Sequence, residues 1–232
     1  MRATRLKTRI VEGGVSKYGS TAEGKAPACP ADKCVVLVVG QVESDESIRR
    51  GCSGVATNAA LLRAARKSRP NGWIIYRPHP DVTSRNRKGA VDAETLAACA
   101  DVIDTGSSIH KTLESVDEVH VMTSLTGFEA MLRGCKVITW GAPFYAGWGL
   151  TEDQQSIPRR RRRRTLEELL FLAFIKYPRY LDIRSGEFVT VEALIGSMQV
   201  RQERAKLSGS LSWAQRQKAK FVNILRGVTY AP

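Results

Sequence analysis

Five short apolar runs, each followed by a polar or glycine-bearing loop, constrain this chain more than any other feature. They are Val35–Gly40, Trp73–Tyr76, Val102–Thr105, Glu118–Met122 and Lys136–Trp140. The first, with Val35, Val36, Leu37, Val38 and Val39 in unbroken succession, has the character of a strand buried on both faces. Segments with helical spacing separate the runs. Asn58–Lys67 carries Leu61, Leu62 and Ala65, and Asp92–Ala100, Ile109–Ser115 and Gly127–Arg133 follow, the last closed by Gly134. This alternation predicts an α/β fold built on a Rossmann-like, doubly wound parallel sheet. In such a sheet the loops beginning at Gln41, Arg77, Gly106, Thr123 and Gly141 share one crest at the carboxyl ends of the strands, where ligands bind.

The flanks read differently. Residues 1–34 carry Gly13, Gly14, Gly19, Gly24, Pro27 and Pro30 with weak periodicity, so a flexible lead-in or interdomain linker is expected there. Residues 35–186 form the expected Rossmann-like domain, and residues 187–232 a helical, basic extension with helices at Thr190–Lys206 and Ser212–Arg226. Thr165 and Glu168 form a capping box at the start of another helix.

The net charge of +13 calls for an anionic partner: nucleic acid, a nucleotide sugar or an anionic membrane surface. No aromatic-rich RNA-binding motif or helix-turn-helix accompanies the charge, so nucleic acid is not expected. Cys29, Cys34, Cys52, Cys99 and Cys135 form no CxxC pair, and His79, His110 and His120 have no metal-ligand spacing. They read as reduced thiols in a cytoplasmic protein. No apolar run reaches membrane-spanning length, and Met1–Ile10 lacks a signal core.

Four crest loops carry candidate chemistry. Gln41-Val-Glu-Ser-Asp-Glu-Ser47 concentrates carboxylates after the first strand, where one could act as nucleophile or base; an acidic turn favouring the next helix N-terminus is the other reading. Arg77-Pro-His-Pro-Asp81 is a rigid turn whose Arg77 and His79 could pair with a phosphate. Thr123-Ser-Leu-Thr-Gly127 brings hydroxyls to a helix N-terminus, which is either an anion site or an ordinary cap. Gly141–Thr151 mixes Phe144, Tyr145 and Trp148 with three glycines, which suits stacking on a sugar ring or packing on the helical tail. The arginine run Arg159–Arg164 reads as a solvated, mobile charge block, with an anionic membrane surface as its candidate partner.

In order and spacing these segments resemble the capsule polysaccharide β-Kdo transferases. The resemblance is carried by Gln41-Val-Glu-x-Asp-x-Ser-Ile48, Arg77-Pro-His-Pro-Asp-Val82, Thr123-Ser-Leu-Thr-Gly-Phe-Glu-Ala130, Phe144–Thr151, Thr165–Leu169 and Tyr177–Asp182, and spans roughly Ser16 to Ile183. It implies the donor-binding half of a two-Rossmann (GT-B) retaining glycosyltransferase. CMP-Kdo is the implied donor, no cofactor or metal is called for, and a phosphatidylglycerol-type lipid or its Kdo-extended form is the acceptor. The same resemblance implies Asp45 as nucleophile, with Glu43 as its rival. It implies Gln41, Arg77, His79, Pro80, Ser124, Thr126, Gly127 and Tyr145 as donor-binding residues. A complete module has another Rossmann-like half before the Gln-Val-Glu loop, whereas 34 residues precede Val35 here, so an incomplete donor half is expected, excised or split from an acceptor domain on a separate chain; a remnant that binds nucleotide without turnover and a different acceptor arrangement are the other readings. Cytoplasmic placement, peripheral at the inner membrane, is implied as well. Two other functions stay open at this level: a CMP-sugar-binding or partner-docking module without turnover, and a basic membrane or nucleic-acid binder.

Overall fold

The computed structural model describes residues 1–14, 24–85, 87–183 and 185–207. It divides into two compact units, Met1–Pro178 and Arg179–Pro232, so the division falls before the boundary of 186/187 that composition pointed to.

The first unit is built on a parallel sheet. Its strands are β1 (Val35–Val39), β2 (Trp73–Arg77), β3 (Val102–Ile103), β4 (Glu118–Val121), β5 (Lys136–Thr139) and β6 (Glu152–Asp153). Their spatial order is β3-β2-β1-β4-β5-β6, with every neighbouring pair parallel. The Rossmann-like expectation therefore holds. All five β1 residues are buried, as a central strand covered on both faces requires.

The helices of this unit are α1 (Arg2–Glu12), α2 (Glu46–Gly51), α3 (Asn58–Ser68), α4 (Pro80–Arg85), α5 (Ala93–Cys99), α6 (Ile109–Leu113), α7 (Leu125–Leu132) and α8 (Leu166–Leu170), the last continuing into a π-helical turn at Phe171–Lys176. Chain order runs outward from β1 to β3 on one side and from β4 to β6 on the other. Right-handed crossovers then put α3 and α5 on one face and α7 on the opposite face. Val36, Val38, Leu61, Leu62, Ala65, Ile74 and Cys99 form the core on the α3 face. α7 is closed by a Schellman motif. The Gly134 N–H donates to Met131 O and the Cys135 N–H to Ala130 O, and Gly134 takes φ +85°. The Thr165–Glu168 capping box is formed at α8.

One flank expectation is corrected. Arg2–Glu12, taken as loose lead-in, is a helix whose Ala3, Leu6 and Ile10 are buried and which packs on α8 and the π-helical turn. The spacing of those three residues puts them on one helical face, and burying them stabilises a segment that is otherwise basic.

The second unit, as far as it is described, holds an antiparallel pair, β7 (Tyr180–Leu181) with β8 (Phe188–Val189), and then α9 (Val191–Leu207). The segment Ser212–Arg226, expected to be helical, lies outside the described residues. Among the described residues, no helix is long and apolar enough to cross a membrane.

Candidate functional site

The strand order reverses direction between β1 and β4. At that switch point the loops after neighbouring strands diverge and leave a crevice. A cavity of about 430 Å³ lies there, a volume suited to a small ligand. It is lined by the loops after β1, β2, β3 and β4, four of the five crest loops.

Gln41 ties the two central loops together. Its Nε2 donates to Thr123 Oγ1 at 3.0 Å, and its Oε1 accepts the Thr123 N–H at 2.8 Å. Because Val38 of β1 pairs with His120 of β4, Gln41 and Thr123 are equivalent positions three residues further along, and the contact follows from register. Asn58, fully buried, secures the same loop from behind. Its Oδ1 accepts the Gln41 N–H and its Nδ2 donates to the Gln41 and Gly89 carbonyls.

Arg77 is anchored in the same way. Tyr76 pairs with Ile103, so Arg77 and Asp104 end their strands side by side. Arg77 Nη1 donates to Asp104 Oδ2 at 2.6 Å and to Ser107 Oγ at 2.9 Å, and Nη2 donates to Ser107 O. Burial pushes the Asp104 carboxyl up. The Ser107 hydroxyl and N–H, Arg77 and Thr112 more than offset this and hold it below the ordinary carboxylate range. The Arg77 charge is thus compensated by Asp104, while Arg77 itself still lines the cavity.

His79 and Pro80 line the cavity from the β2 loop. The Asp81 N–H donates to His79 Nδ1 at 3.1 Å, which puts the proton of the neutral ring on Nε2. Ser124 is the N-cap of α7, accepting the Thr126 N–H on Oγ at 3.2 Å. A hydroxyl used this way keeps its own proton to donate. Ser124 and Thr126 line the cavity at the positive end of α7, and Glu129 lies one turn further in.

The two candidate carboxylates separate. Asp45 lines the cavity, precedes α2 without making a side-chain cap, and pairs with Arg87 at 3.1 Å. Glu43 is not among the lining residues, and its Oε1 accepts the Asn58 N–H at 2.8 Å at the start of α3. Of the two, Asp45 is the one at the cavity.

Three expectations about the remaining motifs are corrected. Tyr145 does not reach the cavity: it is fully buried and its hydroxyl donates to Ser124 O. Gly127 does not line the cavity either; it makes room for that tyrosine, because a Cβ there would come within 2.2 Å of the Tyr145 hydroxyl. Nor does the Gly141–Thr151 loop offer aromatic faces to the cavity. Phe144 packs on Phe128 at 5.2 Å, and Trp148 lies beneath the Arg160 guanidinium at 5.5 Å. The arginine run is correspondingly not a wholly solvated block. Arg160 donates to Pro143 O and Ala146 O, and the Arg164 N–H donates to Trp148 O.

Asn58, Asp104 and Arg87 hold the cavity loops, and motif reading passed over them. Register carried the signal for one of them, since Asp104 stands at the crest position equivalent to Arg77.

A family described as capsule polysaccharide biosynthesis protein matches residues 5–181. The capsule polysaccharide modification protein LipA of Neisseria meningitidis serogroup B is 46% identical over 191 residues, which is 82% of this chain and 27% of LipA. The lipopolysaccharide-processing protein LpsZ of Rhizobium meliloti is 42% identical over 85% of this chain and 45% of its own length. This chain therefore spans less than half of either relative. Two solved structures of Thermosulfurimonas dismutans KpsC superpose with TM-scores of 0.73. The β-Kdo 2,7 transferase is 36% identical, covering 87% of this chain and 60% of its own, and the β-Kdo 2,4 transferase is 30% identical, covering 85% and 62%. With a parallel Rossmann-like sheet, a crevice at its switch point and a match over most of its length, this chain belongs to the capsule polysaccharide biosynthesis protein family.

Proposed function

We propose that this chain is the donor-binding half of a retaining β-Kdo glycosyltransferase that takes Kdo from CMP-Kdo during assembly of a capsular polysaccharide linker. The observation that carries the reading is the joint placement of Asp45, His79, Ser124 and Thr126 on one cavity at the switch point. In this reading the Asp45 carboxylate attacks the anomeric carbon. The bond from that carbon to the phosphate oxygen breaks, and CMP leaves with the electron pair. An acceptor hydroxyl then attacks the same carbon, losing its proton to a base, and the ester bond breaks to restore Asp45. Two inversions give retention. His79 and the Ser124 and Thr126 hydroxyls, at the α7 N-terminus, stabilise the charge that collects on the leaving phosphate. They supply what a metal would otherwise supply, so the reading assigns no cofactor.

The acceptor is a phosphatidylglycerol-type lipid or its Kdo-extended form, presented by a second Rossmann-like half. The reaction belongs at the cytoplasmic surface of the inner membrane, where anionic headgroups attract a chain of charge +13. The test is CMP-Kdo turnover by this chain, alone and mixed with an acceptor half, together with Asp45→Ala. The reading requires transfer in the mixture, its loss in Asp45→Ala, and CMP binding retained by that variant. Transfer that survives in Asp45→Ala refutes the assignment.

A further inference from the structure

Asp45 enters the cavity already paired. Arg87 Nη2 stands 3.1 Å from Asp45 Oδ1, with side-chain exposures of 43% for Arg87 and 46% for Asp45. The backbone on either side of this pair is tied together. The Glu43 N–H donates to Lys88 O at 3.1 Å, and Asn58 Nδ2 donates to Gly89 O at 2.8 Å. Gly89 takes φ +138°, and a Cβ there would come within 2.8 Å of both Asn58 Nδ2 and Gln41 O. The segment carrying Arg87 is thus locked onto the loop carrying Asp45. The guanidinium itself sits in an exposed ion pair, which contributes little net stability and yields readily to a better partner.

The chemistry of the donor names that partner; this step rests on the reading above. In an activated 2-keto sugar acid the carboxylate is bonded directly to the anomeric carbon. When that carbon reaches Asp45, two carboxylates come to lie side by side, an arrangement that needs a cation. Arg77 is engaged by Asp104, whereas Arg87 already stands at Asp45. We propose that Arg87 is the receptor for the donor's carboxylate: it gives up Asp45, takes the sugar acid in a forked contact, and so releases the nucleophile from its ion pair as the donor seats. A neutral sugar cannot make the exchange and leaves Asp45 paired. Arg87 thereby selects sugar acids.

The experiment is calorimetric titration of the chain with CMP and with CMP-Kdo, for the unaltered protein, Arg87→Gln and Arg87→Lys. CMP lacks the carboxylate and serves as the reference ligand. The affinity ratio of CMP-Kdo to CMP should fall about 10- to 100-fold in Arg87→Gln, the range of a lost charge-assisted contact, and by less in Arg87→Lys, which keeps the charge without the fork. An unchanged ratio in Arg87→Gln overturns the carboxylate receptor and leaves the donor site standing. Equal loss of both ligands overturns it too, because Arg87 would then serve the nucleotide or the fold. No CMP binding by the unaltered protein overturns the donor reading, and the receptor with it.

Discussion

Replacing Gly127 with alanine tests how the crest helix is seated. In an exposed helix interior this change stabilises by about 1 kcal/mol through backbone entropy. Here the added methyl would meet the Tyr145 hydroxyl at 2.2 Å, Tyr145 Cζ at 2.9 Å and Val121 Cγ2 at 3.0 Å. Tyr145 is fully buried, so relief requires α7 or the ring to move by more than about 1 Å, at the upper end of the ~1–3 kcal/mol cost of overpacking. The net expectation is a loss of about 2 kcal/mol, read as a lower urea midpoint with unchanged slope. Tyr145→Phe removes the hydroxyl and its bond to Ser124 O and should cost about 1 kcal/mol alone. The double variant should be less destabilised than the sum of the single variants by at least about 1 kcal/mol, because the closest clash is gone. Gly127→Ala that stabilises the protein, or costs that add, would refute the close-approach account of Gly127. The same titrations report function: displacement of α7 moves Ser124 and Thr126, so Gly127→Ala should also weaken CMP binding.

Three further outcomes are expected. His120 is fully buried, with Nδ1 accepting from Trp140 Nε1 at 3.1 Å and Nε2 2.8 Å from Glu118 Oε1. Trp140→Phe strands that acceptor and should cost roughly 1–3 kcal/mol in chemical denaturation. Burial pushes the Glu118 carboxyl up, but His120 and Arg69 together bring it down from 4.5 to about 2. Because the folded value is the lower one, this stabilisation is fully present above the unfolded pKa and is lost as pH falls from about 5 to about 2, a slope that Glu118→Gln should remove from the acid titration of stability. Arg160→Ala removes a donor from the carbonyls of Pro143 and Ala146 and uncovers the face of Trp148, and should speed amide exchange across residues 143–149, whereas exposed Arg162→Ala should not.

Much of the fold was legible because burial on both faces writes itself into the sequence. Val35–Val39 is the clearest case, and Gly134 marks the end of α7 through the one backbone conformation it supplies cheaply. α1 escaped notice because Ala3, Leu6 and Ile10 form a thin stripe among Arg2, Arg5, Lys7 and Arg9, just ahead of Gly13 and Gly14. Of the candidate site, Gln41, Asp45, Arg77, His79, Pro80, Ser124 and Thr126 line one cavity. The aromatic loop and the arginine run depart from expectation for a common reason. Periodicity along a chain does not show what a glycine-rich loop packs against, here the gap at Gly127 and the guanidinium of Arg160. Likewise Asp104 and Arg87 become visible only when neighbouring strands and loops are laid side by side.

The central claim is that Asp45 carries the covalent chemistry. Its most direct test is intact-protein mass spectrometry after incubation with CMP-Kdo and no acceptor. The account predicts a population heavier by one Kdo residue, mapped by peptide analysis to Asp45 and absent from Asp45→Ala. Adduct on Glu43, or adduct that persists in Asp45→Ala, contradicts it.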